Sequence, residues 1–228
     1  MKLVSQSNQV FSFDFEQSIT FGVKFTARST LIQLKNREML VISPGPFNEE
    51  ALSQIKSMAD KFYVVAPNLF HHFYFLAAKE SLPNSELFGP MALGKKVKAL
   101  KSQFTDIEQL PKHVKDQVTV IPIRGNRFLQ ERVFFHPESK TLVVTDLVFN
   151  MNKRNFFTSL ILKMAGAHNK LAQSRLVKST VSDLRQFHED ISNLQKFPCE
   201  RLIMAHGEVL TDMSQWHEFL QRHQRQES

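Results

Sequence analysis

The chain has 228 residues, 42% of them hydrophobic, which is enough for one large domain or two small ones with a substantial core. A single cysteine, Cys199, excludes an internal disulfide and a thiolate metal cluster, and it is typical of a reducing compartment. The formal net charge of +7 indicates by itself only a non-specific attraction to anions.

The composition also bears on membranes and nucleic acids as partners. The first ten residues lack the continuous apolar stretch of a signal peptide, and no apolar run is long enough to span a bilayer. We therefore expect a cytoplasmic protein with no membrane partner. The densest basic cluster, Lys95 to Lys101, contains no interleaved aromatic residues for base stacking, so a nucleic-acid partner is possible but not favoured.

The first half of the chain begins with strand patterns. Apolar and polar residues alternate over residues 10–26, which predicts two half-buried strands separated by a hairpin at Glu16–Ser18. Further strands are predicted at Ser29–Leu34 and Met39–Ile42, and the latter ends at a proline-rich loop.

A strand–helix–strand unit follows. Asn48 is the predicted N-cap of a helix that runs to about Asp60, and the next strand is Phe62–Val65. With Met39–Ile42 this pattern predicts a parallel pair of strands joined by a right-handed crossover.

The second half is predicted to contain both strands and helices. The strands are Val118–Pro122, Glu131–Phe135, Thr141–Val144 and Arg201–Met204; the helices are 155–172, Thr180–Gln195 and a C-terminal helix capped by Asp212. Thr180 and Asp183 fit a capping box. Since no repeat or linker interrupts the pattern, we expect a single domain over residues 1–228.

Polar side chains follow three of the predicted strands. His71 and His72 follow Phe62–Val65, Asp146 follows Thr141–Val144, and His206 follows Arg201–Met204. Ligands bind beyond the carboxyl ends of parallel strands, so these groups are candidates for one site. Three imidazoles and a carboxylate suit zinc or another first-row metal.

Each of these residues also has a purely structural explanation. Adjacent histidines near a helix start often face solvent, Asp146 could cap the following turn, and His206 could be a hydrogen-bonded turn residue. The remaining histidines show no convergence at strand ends and are assigned no role: His113, His136, His168, His188, His217 and His223.

The order of elements, with three short motifs, resembles the metallo-β-lactamase fold over residues 19–210. The motifs are Ser43-Pro44-Gly45, in place of an Asp-Pro-Gly turn, Thr145-Asp146, and His206-Gly207. The resemblance implies an α+β fold, an αββα sandwich of two mixed β-sheets flanked by helices. It looks closest to a divergent branch of unassigned function with a degenerate metal motif.

The departures from that family concern the metal motif. Active members carry His-x-His-x-Asp-His, and here the corresponding residues are Pro67, Leu69, His71 and His72. The family's separate middle histidine has no counterpart near Ile123–Asn126. The resemblance therefore implies one metal position rather than two, with His71, His72, Asp146 and His206 as its ligands.

Two functions are favoured at this point over a third, a nucleic-acid binder that uses the positive charge. The first is a single-metal hydrolase of an ester, thioester or phosphoester, using zinc, or else iron or manganese. The alternative is a catalytically inactive binding or interaction protein of the same fold, with or without metal. Neither the small-molecule substrate nor the oligomeric state follows from the sequence.

Overall fold

The computed structural model describes residues 2–18, 24–150, 171, 173 and 175–225. The chain divides into two compact units, Met1–Val118 and Thr119–Ser228. None of the helices in the described ranges is long and apolar enough to cross a membrane.

The first unit contains a sheet in which seven described strands lie in chain order. They are β1 (Val4–Ser7), β2 (Val10–Ser18), β3 (Lys24–Leu34), β4 (Glu38–Ile42), β5 (Lys61–Val65), β6 (Ser85–Gly89) and β7 (Thr105–Asp106). The β1 to β4 pairs are antiparallel, whereas the β4 to β7 pairs are parallel. The predicted parallel pairing of the strands on either side of the first helix is confirmed.

The described α-helices of the first unit are α1 (Glu49–Met58), α2 (Phe75–Ser81), α3 (Leu93–Lys96) and α4 (Lys112–Lys115). The first three connect the parallel strands, and α4 follows β7. Asn48 caps α1 as predicted, since its side chain accepts a hydrogen bond of 3.0 Å from the backbone N–H of Ala51. Buried residues of β4, β5 and α2, among them Val41, Val64 and Phe75, share one apolar core.

The second unit contains a four-stranded sheet with the order β11-β10-β9-β8. Its strands are β8 (Thr119–Pro122), β9 (Arg132–His136), β10 (Thr141–Val144) and β11 (Arg201–Met204). Its described helices are α5 (Arg175–Ser179), α6 (Leu184–Asn193) and α7 (Ser214–Gln224). Only the β10–β11 pair is parallel among the described pairings of this sheet.

The structure corrects two predicted boundaries. The predicted hairpin at Glu16–Ser18 lies inside β2, because its residues continue the pairing with β3. Helix α6 begins at Leu184 rather than Thr180, because Asp183 is its N-cap and accepts a 3.0 Å hydrogen bond from the backbone N–H of Gln186. The predicted helix 155–172 lies largely outside the described residues.

The predicted fold class is confirmed: two mixed β-sheets with flanking helices. The expectation of a single domain over 1–228 stays a prediction. For function, the useful consequence is that β10 and β11 each end two residues before a predicted metal ligand, whereas His71 and His72 follow β5 after a longer turn.

Candidate metal centre

In the second unit, two predicted ligands follow neighbouring parallel strands. The last residues of β10 and β11, Val144 and Met204, are partners in the ladder. A polar residue follows each strand two positions after its end: Asp146 after β10 and His206 after β11. Parallel pairing in this register therefore brings the carboxylate and the imidazole to the same edge of the sheet.

The distance between these two groups is informative. His206 Nε2 lies 3.4 Å from Asp146 Oδ1, and both side chains are largely buried. A direct N–H···O hydrogen bond has a typical length of about 2.7–3.2 Å. Two ligands of one tetrahedral zinc ion, each about 2.0–2.1 Å from it, are about 3.3 Å apart. The pair thus has the spacing of two ligands around a shared cation.

Glu131 holds the turn that carries Asp146. Its side chain is buried, and its two oxygens accept hydrogen bonds from the backbone N–H groups of Thr145, at 2.8 Å, and Asp146, at 2.9 Å. Burial, and then the nearby Asp146 carboxylate, raise the pKa of Glu131, while the backbone donors of Thr145, Asp146 and Leu147 oppose that rise.

The role of Glu131 was missed by reasoning from sequence, which assigned it only to a strand. The signal was present in the predicted strands Glu131–Phe135 and Thr141–Val144, which form an antiparallel pair in the structure: Thr141 pairs with His136 and Leu142 with Phe135. Continuing that register residue by residue places position 131 opposite position 146. A glutamate at that position of a buried hairpin is therefore a candidate for supporting Asp146.

The His206 turn is fixed by close backbone packing. The His206 ring stacks on Phe149, with centroids 5.4 Å apart and planes inclined by 18°. Gly207 has a φ of +105°, and a Cβ atom there would lie 2.1 Å from the carbonyl oxygen of Asn150. Glycine is required at this position because both the backbone conformation and the close approach exclude a side chain.

In the first unit, His71 and His72 lie in a turn between β5 and α2. The buried side chain of Asn68 shapes this turn, since its Oδ1 accepts hydrogen bonds from the N–H groups of Phe70, at 2.7 Å, and His71, at 3.0 Å. Such an asparagine turn replaces backbone pairing after the strand ends. The helix begins only at Phe75, so neither histidine is helical.

Ser43 positions the His71 ring. Its Oγ lies 2.6 Å from His71 Nδ1, and Ser43 itself is buried with a φ of +54°. A metal bound by His71 would use Nε2, because Nδ1 is engaged by the serine. Sequence reasoning placed Ser43 in a proline-rich loop and in the motif Ser43-Pro44-Gly45, but it did not predict the contact with His71, because a contact between residues 28 positions apart leaves no local pattern.

His72 differs from its neighbour in its surroundings. Its Nδ1 is buried without a hydrogen-bond partner among the described residues, and its ring stacks on Phe73 with centroids 5.0 Å apart. Burial, and then the charge of Lys96, lower the pKa of His72 below the ordinary value for histidine. Its neutral form, which is the form that binds metals, is therefore favoured.

Several histidines that were given no role have other partners. His113 Nε2 lies 3.0 Å from the Tyr63 hydroxyl and 2.9 Å from Glu38, and His136 Nδ1 lies 2.8 Å from Ser139 Oγ. His168 is outside the described residues. His188 and His223 contact one another through their Nδ1 atoms at 2.6 Å, and they line a cavity described below.

The donor types in both units suit a first-row divalent metal. The second unit supplies a carboxylate and an imidazole at ligand-like spacing, and the first supplies two imidazoles after β5. One of these imidazoles is oriented by a hydroxyl, and the other has an orphaned buried nitrogen. Zinc prefers nitrogen and carboxylate ligands of this kind.

Solved structures that share this fold include metallo-β-lactamases. The alignment with the protein VMB-1 covers 100% of this chain and 98% of VMB-1, with a TM-score of 0.68 and 12% sequence identity. The alignment with the metallo-β-lactamase from Pontibacter korlensis covers 98% of each chain, with a TM-score of 0.62 and 15% sequence identity. The third is FIM-1 from Pseudomonas aeruginosa, solved in a mono-zinc form. Its alignment covers 99% of this chain and 96% of FIM-1, with a TM-score of 0.65 and 8% sequence identity.

At these identities the likeness shows the fold, as the resemblance in the sequence had implied, and not an activity. No curated protein matches the chain. The model of one sequence family, described as a domain of unknown function, DUF4336, matches residues 7–186. Because that match covers most of its length, the chain belongs to the DUF4336 family and has the metallo-β-lactamase fold.

Proposed function

We propose that the protein is a metallo-β-lactamase-fold hydrolase with a single divalent metal, held by His71, Asp146 and His206. The observation that carries the proposal is the 3.4 Å spacing of His206 Nε2 and Asp146 Oδ1, which suits two ligands of one tetrahedral ion. Each of the three residues offers one ligand atom. FIM-1, which has a similar fold, was solved in a mono-zinc form, and this supports a proposal with one metal ion.

His72 decides whether such a centre is open or closed. Structural zinc sites have four protein ligands, whereas catalytic sites have three and keep a position for water or substrate. With His71, Asp146 and His206 alone the site is open. If His72 is also a ligand, as the sequence predicts, the four residues form a closed site, and the alternative of an inactive binding protein gains support.

The residues of this chain have separate roles in the proposed reaction. A bound zinc ion supplies a Lewis acid and lowers the pKa of a water ligand. Ser43 holds the His71 ring through Nδ1, and Glu131 holds the backbone that carries Asp146. Esters, thioesters and phosphoesters are the proposed substrates, because each is cleaved by water attacking a polarised carbonyl or phosphoryl group.

The test is metal binding by the purified full-length chain. We expect close to one equivalent of zinc, iron or manganese by elemental analysis, and d–d absorption after the metal is exchanged for cobalt. The His206→Gln variant should lose both signals. His217→Gln is the matched control, since His217 is exposed on α7, and it should retain both.

Two results would decide against the proposal. One is the absence of metal after reconstitution with zinc; the other is equal metal retention in His206→Gln and His217→Gln. A His72→Gln variant then separates the two forms of the centre. If cobalt absorption is unchanged and ester hydrolysis persists, the site is open; if His72→Gln alters the cobalt spectrum and the parent hydrolyses no ester or phosphoester, the site is closed.

A further inference from the structure

The second unit contains a cavity that the proposed metal centre does not use. It has a volume of about 340 Å³, within the range of small-molecule sites. Side chains from α6 and α7 form its apolar walls, including Leu184 and Phe219. Leu184 is 63% exposed although it is a large apolar residue, so the mouth of the cavity presents apolar surface to solvent.

One buried polar group in this cavity lacks a partner. Gln173 is only 5% exposed, lines the cavity, and its Nε2 has no hydrogen bond within the described part of the chain. An amide N–H₂ group is a donor, and leaving it unsatisfied in a buried position is costly. The missing partner must be an acceptor.

The charged side chains that line the cavity have one sign. Lys178 and Arg222 line it, and none of its described lining residues is acidic. Arg222 contacts Glu218 on its own helix, but at 3.5 Å with both side chains more than half exposed, which is a weak interaction. The cavity is therefore a place of positive potential.

The histidine pair supports this conclusion. His188 Nδ1 and His223 Nδ1 are 2.6 Å apart, so the N–H of one ring donates a hydrogen bond to the nitrogen of the other. Burial, then the charges of His188, Lys178 and Arg222, lower the pKa of His223 to about 3. The imidazole of His223 is thus neutral near pH 7, and the positive charge comes from the lysine and the arginine.

We propose that this cavity binds a small organic anion, a carboxylate or phosphate with an apolar body. The anionic oxygens accept from Gln173 Nε2 and lie near Lys178 and Arg222, and the apolar body lies against Leu184 and Phe219. The site is independent of the proposed metal centre, and failure of one leaves the other standing.

The test is calorimetric titration of the full-length protein with three eight-carbon probes: octanoate, octyl phosphate and octylammonium. We expect one anion to bind per chain, with octylammonium at least tenfold weaker at the same ionic strength. Comparison of octanoate with octyl phosphate distinguishes a carboxylate from a phosphate ligand. Equal binding of the cation, or no binding of either anion at millimolar concentration, would overturn the proposal.

Variants locate the site. Gln173→Met removes the unsatisfied donor at similar volume, so it should raise the Tm of the ligand-free protein and yet weaken anion binding several-fold. The double variant Lys178→Gln/Arg222→Gln should weaken anion binding at least tenfold. Lys196→Gln, which removes an exposed lysine outside the cavity, should have no effect. If Lys196→Gln weakens binding as much as the double variant, the effect is one of net charge and the assignment fails.

Discussion

Ser43 and Glu131 each fix a candidate ligand without being ligands themselves. Ser43 Oγ contacts Nδ1 of His71, and Glu131 accepts from the backbone of Asp146. Residues of this kind orient the groups that touch a metal, and their loss commonly weakens metal affinity by roughly 10–100-fold. Both contacts join positions that are distant in sequence, which is why motif reasoning identified the candidate ligands but not their supports.

Glu131 permits a prediction about stability at the residue scale. In Glu131→Gln, one of the two oxygens becomes an NH₂ group facing a backbone N–H, so a buried donor loses its acceptor. We expect the free energy of unfolding to fall by about 1–3 kcal/mol, measured by urea denaturation with metal chelated. Glu189→Gln removes an exposed carboxylate from α6 and should change it by less than about 0.5 kcal/mol. Equal effects of the two substitutions would mean that Glu131 does not hold the Asp146 turn.

Elements differed in how well the sequence predicted them. The strands β10 and β11 have the predicted bounds, Thr141–Val144 and Arg201–Met204, because short apolar runs bounded by polar residues leave little freedom in register. Helix α6 was predicted to start at Thr180, since two capping residues stand close together there. Asp183 is the cap in the structure, and the Thr180 hydroxyl instead donates to the carbonyl of Val177 at 3.0 Å.

The packing of α6 against α7 gives the structure a specific response to acid. His223 on α7 is 7% exposed and is faced by Lys178 from α5, His188 from α6 and Arg222 from α7. Its folded pKa is lowered to about 3, whereas an unfolded histidine titrates near 6.5. Between these values the unfolded chain binds the additional proton, so the contribution to stability is complete above about pH 6.5 and decreases as pH falls toward 3.

We therefore expect the free energy of unfolding to depend differently on pH in the parent and in His223→Asn. Asparagine keeps a polar atom near the Nδ1 position. Below pH 6.5 the free energy of unfolding of the parent should fall more steeply, by up to about 1.4 kcal/mol per pH unit. Trp216, the single tryptophan, is buried on the same helix and reports on it by fluorescence. The control is His217→Asn on the exposed face, which should show the same pH dependence as the parent. If His223→Asn also shows the pH dependence of the parent, the burial of His223 does not couple to folding.

At the scale of the whole molecule, the fold was predicted because the order of strands and helices, with three short motifs, resembles a known family. The strand–helix–strand unit and the strands β9, β10 and β11 could be inferred from apolar periodicity and loop residues, whereas the parallel pairing of β10 with β11 is seen only in the structure. The number of metal ligands could not be inferred, because it depends on ring orientation. His71 and His72 are adjacent in sequence, yet one is oriented by Ser43 and the other is stacked on Phe73.

The single-domain prediction can be tested through unfolding cooperativity. The family match over residues 7–186 crosses the boundary between the two compact units at Val118, so the segment that recurs in the family includes parts of both. We expect both units to unfold in one transition in urea. Trp216 fluorescence, which reports on the second unit, should then coincide with far-UV circular dichroism, to which both units contribute. A circular dichroism transition with a second step that fluorescence does not follow would mean that the units are separate domains.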